Sequence, residues 1–141
     1  MIRRLADIDM VLVASPSFTA EWGNPQTIAD LGKLPFARYA IAGRPHSIRF
    51  LNGESIATRG RVDCDTGYGL HIVALEGMGI AHLMRCVVAE DLREGRLVQL
   101  LPNERLPSLP FSAVHAFGNT VPTRVRLLCE FIHAEAKQFA E

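Results

Sequence analysis

Neither sign of charge is in excess in this sequence. Fifteen Lys and Arg stand against fifteen Asp and Glu, a formal net charge of zero. Holding a nucleic acid rests first on a basic surface that neutralises phosphates, so this chain is not expected to contact DNA by itself. Cysteine is scarce: Cys64, Cys86 and Cys129 are odd in number and far apart, with no C-x-x-C pair. Structural zinc uses closely spaced ligand pairs and a secreted disulfide framework an even count. The thiols are therefore expected to be free and buried, in a reducing compartment. Long apolar runs are also absent, and none approaches the roughly 20 residues of a membrane span. The opening segment carries Arg3 and Arg4, and Asp7 and Asp9 interrupt the apolar run that follows, which does not read as a signal peptide. A soluble, cytoplasmic protein is the expectation.

Catalytic patterns are missing as well. There is no G-x-S-x-G elbow, P-loop or H-E-x-x-H. Ser112 and His115 sit three apart in an expected strand, where such residues point to opposite faces, so they are not read as a nucleophile and its base. The five histidines, His46, His71, His82, His115 and His133, are scattered. No catalytic residue, metal ligand or cofactor is assigned, and the chain is read as a non-enzyme.

What is present is an ordinary globular balance: 141 residues, 48% hydrophobic and 21% charged, long enough for one domain with a core. Short apolar runs alternate with amphipathic segments. Strands are expected at Met10–Ala14, Phe36–Ile41, Ile48–Leu51, Ile56–Cys64, Ile80–Leu83, Leu97–Leu101 and Phe111–Phe117. Ser15 and Pro16 mark a helix start, with Gly23 as its stop. Thr27 with Asp30 has a spacing close to a capping box. The clearest helix runs from about Thr66 to Glu76, capped by Asp65 or Thr66 and ended by Gly77. A further helix spans Cys86 to Glu94, closed by Gly95. The last starts near Pro122, with Val125, Leu128, Ile132 and Phe139 as its apolar stripe. Strand and helix in alternation predict an α/β layered sheet with at least some parallel pairing.

Helix starts that follow strands are the candidate binding positions, because they offer unpaired N–H groups and the positive end of a dipole. Two stand out: Ser15-Pro16-Ser17 and Asp65-Thr66-Gly67. Asp65 opposes an anion placed directly at its own helix start.

Several phrases are similar to one family. Leu12-Val13-Ala14-Ser15-Pro16-Ser17-Phe18, then Gly23-Asn24-Pro25 and Ala29-Asp30-Leu31, resembles the opening of the second subdomain of LysR-type effector domains. Gly77-Met78-Gly79-Ile80-Ala81 resembles the family's "GlGIA" turn, and Glu90 to Val98 its "dl-x-x-G-x-L-v" segment. Pro122 to Phe131 is similar to its closing helix. The fragments lie in order over nearly the whole chain. Val121, where the family often has a capping serine, leaves the last helix to Thr120, Thr123 or a poorer cap, and Met84 replaces a frequent proline.

The resemblance implies a mixed, mainly parallel sheet flanked by helices, as in a periplasmic-binding-protein type II subdomain. It implies a partial effector-binding domain, with residues 14–116 as the second subdomain and 117–141 as the closing helix. The family's winged helix-turn-helix, linker helix and first half of the first subdomain are expected to precede such a sequence. It implies a small organic effector, often an anion, in a cleft between two subdomains, which agrees with the helix-start candidates Ser15, Ser17, Asp65, Thr66 and Gly67; Arg44 and His46 lie in a loop matching a segment that borders that cleft. In the family the last helix returns to pack on the first subdomain; with most of that subdomain not in this sequence, the stripe, widened by Leu127 and Phe131, is expected to pack on another copy, as a dimer or a swapped arrangement. The competing readings are a solute-binding module of the periplasmic type, a small enzyme on the same fold, and a regulator fragment acting only through protein contacts.

Overall fold

The computed structural model describes residues 2–118 and 120–139. In chain order the strands are β1 (Ile2–Ile8), β2 (Met10–Ala14), β3 (Pro35–Ile41), β4 (Arg44–Pro45), β5 (Ile48–Arg49), β6 (Ser55–Ile56), β7 (Arg59–Cys64), β8 (Ala81–Met84), β9 (Val98–Leu100) and β10 (Leu109–Val114). The helices are α1 (Pro16–Trp22), α2 (Ile28–Leu31), α3 (Gly67–Leu75), α4 (Arg85–Glu94) and α5 (Thr123–Ala136), the last followed by a 3-10 turn, Lys137–Phe139. The chain clusters into two compact units, Met10–Pro107 and a smaller one from Met1–Asp9 with Ser108–Glu141.

In the larger unit β2 pairs antiparallel with β8 on one side and β9 on the other. β3 pairs parallel with β7. A parallel bridge from Phe36 to Ile80 joins these ladders, with Ala37 N–H donating to Ile80 O at 2.9 Å and Ile80 N–H to Pro35 O at 3.0 Å. The result is one mixed sheet, ordered β7-β3-β8-β2-β9. The expectation of a mainly parallel sheet is corrected here in its pairing. β7, β3, β8 and β9 run one way, but β2 lies between β8 and β9 and runs against both. A reversed strand in that position makes both of its ladders antiparallel.

Strand alternation divides the core between the two faces of this sheet. Leu12 and Ala14 of β2 point to one side, with Phe18, Ile28, Leu31 and Phe36. Val11 and Val13 point to the other, with Leu70, Ala74, Leu83 and Val88. The first face is covered by α1, α2 and the small β5–β6 hairpin, the second by α3 and α4. The run expected over Ile56–Cys64 is broken at Ala57 and Thr58, and the register of β3 on β7 shifts between Pro35 and Ala37. Gly60 sits at that irregularity, where a Cβ would fall 1.8 Å from the Phe36 carbonyl oxygen.

The smaller unit is an antiparallel ribbon, β1 on β10, with α5. β1 was not expected. Its charged residues Arg3, Arg4 and Asp7 are exposed and only Leu5 is fully buried, so the sequence carries little strand signal. The strand expected at Phe111–Phe117 begins earlier, at Leu109, and belongs to this unit. The buried positions of α5 are Cys129 and Ala136, while Leu127, Leu128 and Phe131 are exposed. The packed stripe is therefore centred on Cys129 rather than Leu128. Small side chains there let the helix sit close to β1, with His133 Nδ1 against the Leu5 carbonyl. The side chain of Phe139 lies outside the described set.

Candidate functional site at the end of β3

The larger unit gathers polar groups where β3 and β7 end. Tyr39 of β3 is level with Cys64 of β7, and the chain then turns into α3. Thr66 is its N-cap, in extended conformation, and its Oγ1 accepts from Gly69 N–H at 3.1 Å. Asp65 does not cap; it stands exposed beside the helix start. Gly69 packs so closely that a Cβ would lie 3.2 Å from Cys64 Sγ. Burial, then the charges of Asp65 and Asp63, push the Cys64 thiol up, which disfavours its thiolate.

The β3–β4 hairpin brings Arg44 and His46 to the same end. Its turn residues Ala42 and Gly43 both have positive φ, 50° and 74°, the conformation of tight primed turns. Ile41 is level with Arg44, and His46 N–H donates to Tyr39 O at 2.9 Å. The His46 ring lies 5.7 Å from that of Tyr39. Next to them Arg38 holds Asp63 in a forked pair, at 2.6 and 3.0 Å. Arg44 is exposed and has no ion-pair partner among the described residues.

Ser15 and Ser17 lie elsewhere. Ser15 is buried; its Oγ accepts from Phe18 N–H at 3.2 Å and lies 2.8 Å from Ser17 Oγ. Both hydroxyls pack on Gly77, where a Cβ would fall 2.7 Å from Ser17 Oγ. Gly77 follows the end of α3 and Thr66 precedes its start. A helix rises about 1.5 Å per residue, so roughly 13 Å separates the two groups. The structure thus brings Arg44, His46, Asp65, Thr66 and Gly67 to one end of the sheet and puts Ser15 and Ser17 at the other. The cause is the reversal of β2, which delivers its helix start to the opposite edge.

Two polar features of this unit have no counterpart in the sequence reading. Asp91, buried on α4, lies between His71 of α3 (Nε2 at 2.6 Å) and Arg96 (Nε at 2.6 Å). Burial pushes its carboxyl up, but the hydrogen bonds and charges of Arg96 and His71 outweigh it, and the net shift is downward. The arrangement clamps α3 to α4. Twenty residues separate His71 from Asp91, and no local spacing announces the pair. On β8, His82 has a buried Nε2 with no hydrogen-bond partner among the described residues, and burial lowers its pKa to about 4. All three cysteines are free. Among the described residues no group of three or more His, Cys, Asp or Glu is placed to hold a metal ion, and no helix is long and apolar enough to cross a membrane.

These features define a class, an α/β domain with a mixed sheet between two core layers and polar loops at its strand ends. The chain belongs to the LysR substrate binding domain family, whose pattern it matches over residues 2–137. The HTH-type transcriptional regulator DmlR of Escherichia coli (strain K12) is 31% identical over 143 residues, 99% of this chain and 45% of its own length. PtxR of Pseudomonas aeruginosa, another HTH-type transcriptional regulator, is 30% identical over 132 residues, 90% of this chain and 42% of its own. Among solved structures, CrgA, a LysR-type transcriptional regulator from Neisseria meningitidis, aligns with TM-score 0.81 and 26% identity, covering 96% of this chain and 47% of that one. The chain spans about half the length of the curated relatives it matches.

Proposed function

We propose that this chain is the effector-sensing part of a LysR-type transcriptional regulator. It works in the cytoplasm, catalyses no reaction and uses no cofactor. It takes a small organic anion where β3 and β7 end, with Arg44 as the charge partner, His46 and the Thr66–Gly67 helix start as hydrogen-bonding groups, and Asp65 at the rim limiting how close the anion comes to α3. The observation that carries the assignment is Arg44, exposed and without an ion-pair partner among the described residues, at the sheet end where α3 begins. Family membership supports the sensing role. Contact with DNA belongs to a helix-turn-helix domain of the kind the relatives are named for; the zero net charge of this chain agrees with that division of labour.

A thermal-shift screen against small carboxylates, amino acids and aromatic acids tests the reading. A ligand at about a hundred times its dissociation constant stabilises the fold by about 2.7 kcal/mol. Arg44→Gln is expected to remove that shift and leave the melting temperature of the free chain in place. If Arg44→Gln unfolds the domain instead, Arg44 is structural and the assignment fails.

A second role rests on α5. Its outer face shows Leu127, Leu128 and Phe131 at 55%, 57% and 63% exposure, and apolar patches of this kind tend to become interfaces. The helix packs against a second copy, so the regulator acts as a dimer. Sedimentation should show a dimer at micromolar concentration that Leu128→Glu converts to monomer; a clean monomer of the unaltered chain removes the proposal.

A further inference from the structure

We infer that α5 pairs with the α5 of a second copy in antiparallel orientation, Leu128 of each helix opposite Phe131 of the other and Arg124 of each opposite Glu135 of the other. The inference rests on the dimer assigned to α5 above and adds its direction, register and charge pairing.

The two sides of α5 are occupied differently. Cys129 and Ala136 are buried, and His133 sits against the Leu5 carbonyl of β1. At 3.6 residues per turn, the opposite side of the helix carries Arg124, Leu127, Leu128, Phe131 and Glu135. All five are exposed. The stripe has an apolar centre, a basic end and an acidic end.

Both end charges are placed against their own helix. The positive end of a helix dipole favours acidic side chains and the negative end basic ones. Arg124 lies in the first turn of α5, where there is no acidic residue, and Glu135 lies in the last turn. Among the described residues neither has an ion-pair partner, so no neighbour within the chain offsets this. A second copy laid antiparallel does. It brings the Glu135 end of one helix beside the Arg124 end of the other, and two-fold symmetry makes each contact occur twice.

Spacing sets the register. Arg124 stands four residues before Leu128, and Glu135 four after Phe131. The offset that puts Leu128 opposite Phe131 therefore also puts Arg124 opposite Glu135. Parallel pairing would instead place Arg124 beside Arg124 and Glu135 beside Glu135, like charges at both ends. α5 has 14 residues, about 21 Å of helix, so the contact is small and its charged ends stay wet. An interface of that kind is weak and sensitive to salt.

Sedimentation of the full chain at low salt, beside Arg124→Glu, Glu135→Arg and the double exchange, tests the pairing. Each single reversal turns two attractions into two repulsions and should raise the dimer dissociation constant about tenfold. The double exchange restores both pairs and should return the constant to within about threefold of the parent. In about 1 M salt, where exposed charges are screened within about 3 Å, the single reversals should cost less than about threefold. Both reversals bring the charge into accord with the helix dipole, so thermal melting of the variants as monomers should not fall below that of the parent. A variant that melts lower shows that its charge serves the fold of one chain and overturns the pairing. A dimer that Leu128→Glu breaks but neither reversal weakens also overturns it and leaves the α5 interface standing, as does a double exchange no tighter than the singles. A parent chain that stays monomeric, or a dimer indifferent to Leu128→Glu, removes the α5 interface and the pairing with it.

Discussion

The two compact units of this chain use apolar residues in opposite ways. In the larger, β2 is covered on both faces, and Val11, Leu12, Val13 and Ala14 are each 2% exposed or less. In the smaller, β1 shows Ile2 at 72% exposure, β10 shows Val114 at 75%, and α5 leaves Leu127, Leu128 and Phe131 outside. A two-stranded ribbon with one helix has few partners for its own side chains, and such ribbons are marginal alone. The larger unit has the construction of a stable core. The smaller leaves much of its apolar surface uncovered within this chain.

The same substitution at two leucines breaks or confirms this contrast. Leu12→Ala in the larger unit should cost about 4 kcal/mol in chemical denaturation, as for a fully packed leucine. Leu128→Ala, measured at a concentration where the chain is monomeric, should stay within about 0.5 kcal/mol. A loss of 2 kcal/mol or more at Leu128 would mean the face is already covered within one chain. Next in size is Gly60→Ala. The clash is with the backbone carbonyl of Phe36, which has no rotamer to change, so a loss of about 3 kcal/mol is expected. An alanine there that melts like the parent would show that the β3–β7 irregularity is not tightly held.

Acid should also act on the larger unit first. His82 titrates near 4 in the fold because of burial, against 6.5 in the open chain. Above pH 6.5 the ring is neutral in both states and nothing is lost. Between 6.5 and 4 the unfolded chain binds a proton that the fold excludes, so stability falls as pH falls. Below 4 both states are protonated and this contribution levels off. The loss across the window is roughly 3 kcal/mol. The Asp91 clamp, whose carboxyl is held low, keeps its contribution through that window and loses it only as pH drops below the usual carboxylate range. His82→Leu should therefore flatten the profile between 6.5 and 4 while leaving a later decline. If the slope persists unchanged in His82→Leu, another group is responsible.

Legibility in the sequence followed the same division. Elements of the larger unit declared themselves through local chemistry: Ser15 and Pro16 at a helix start, the Thr27–Asp30 box, Thr66 as a cap, and Gly95 with φ of 73° closing α4. Each signal lies within four residues of its effect. β1 had no such signal, because pairing with residues more than a hundred positions away decides its conformation. The candidate site was half legible for a related reason. Thr66 and Arg44 could be named as residue types, but whether helix starts converge depends on strand direction. The reversal of β2, which separates Ser15 and Ser17 from the others, is a property of the whole sheet. The His71–Asp91–Arg96 clamp is likewise a product of tertiary placement, invisible to spacing.

The smallest effect concerns the hairpin that presents Arg44. Ala42 holds φ of 50°, a left-handed conformation in which a Cβ crowds the backbone and which glycine adopts without that crowding. Its side chain is exposed, so nothing is lost from packing when it is removed. Against the relief stands the greater freedom glycine has in the unfolded chain. The balance should favour Ala42→Gly by about 0.5 kcal/mol in thermal denaturation. Ala42→Val should shift the other way, since a branched side chain suits that conformation least. If the hairpin serves only to present Arg44, neither substitution should alter the ligand preference of the larger unit. A change in preference without a change in stability would mean the turn itself touches the ligand, which moves the site from the helix start of α3 toward the tip of the hairpin.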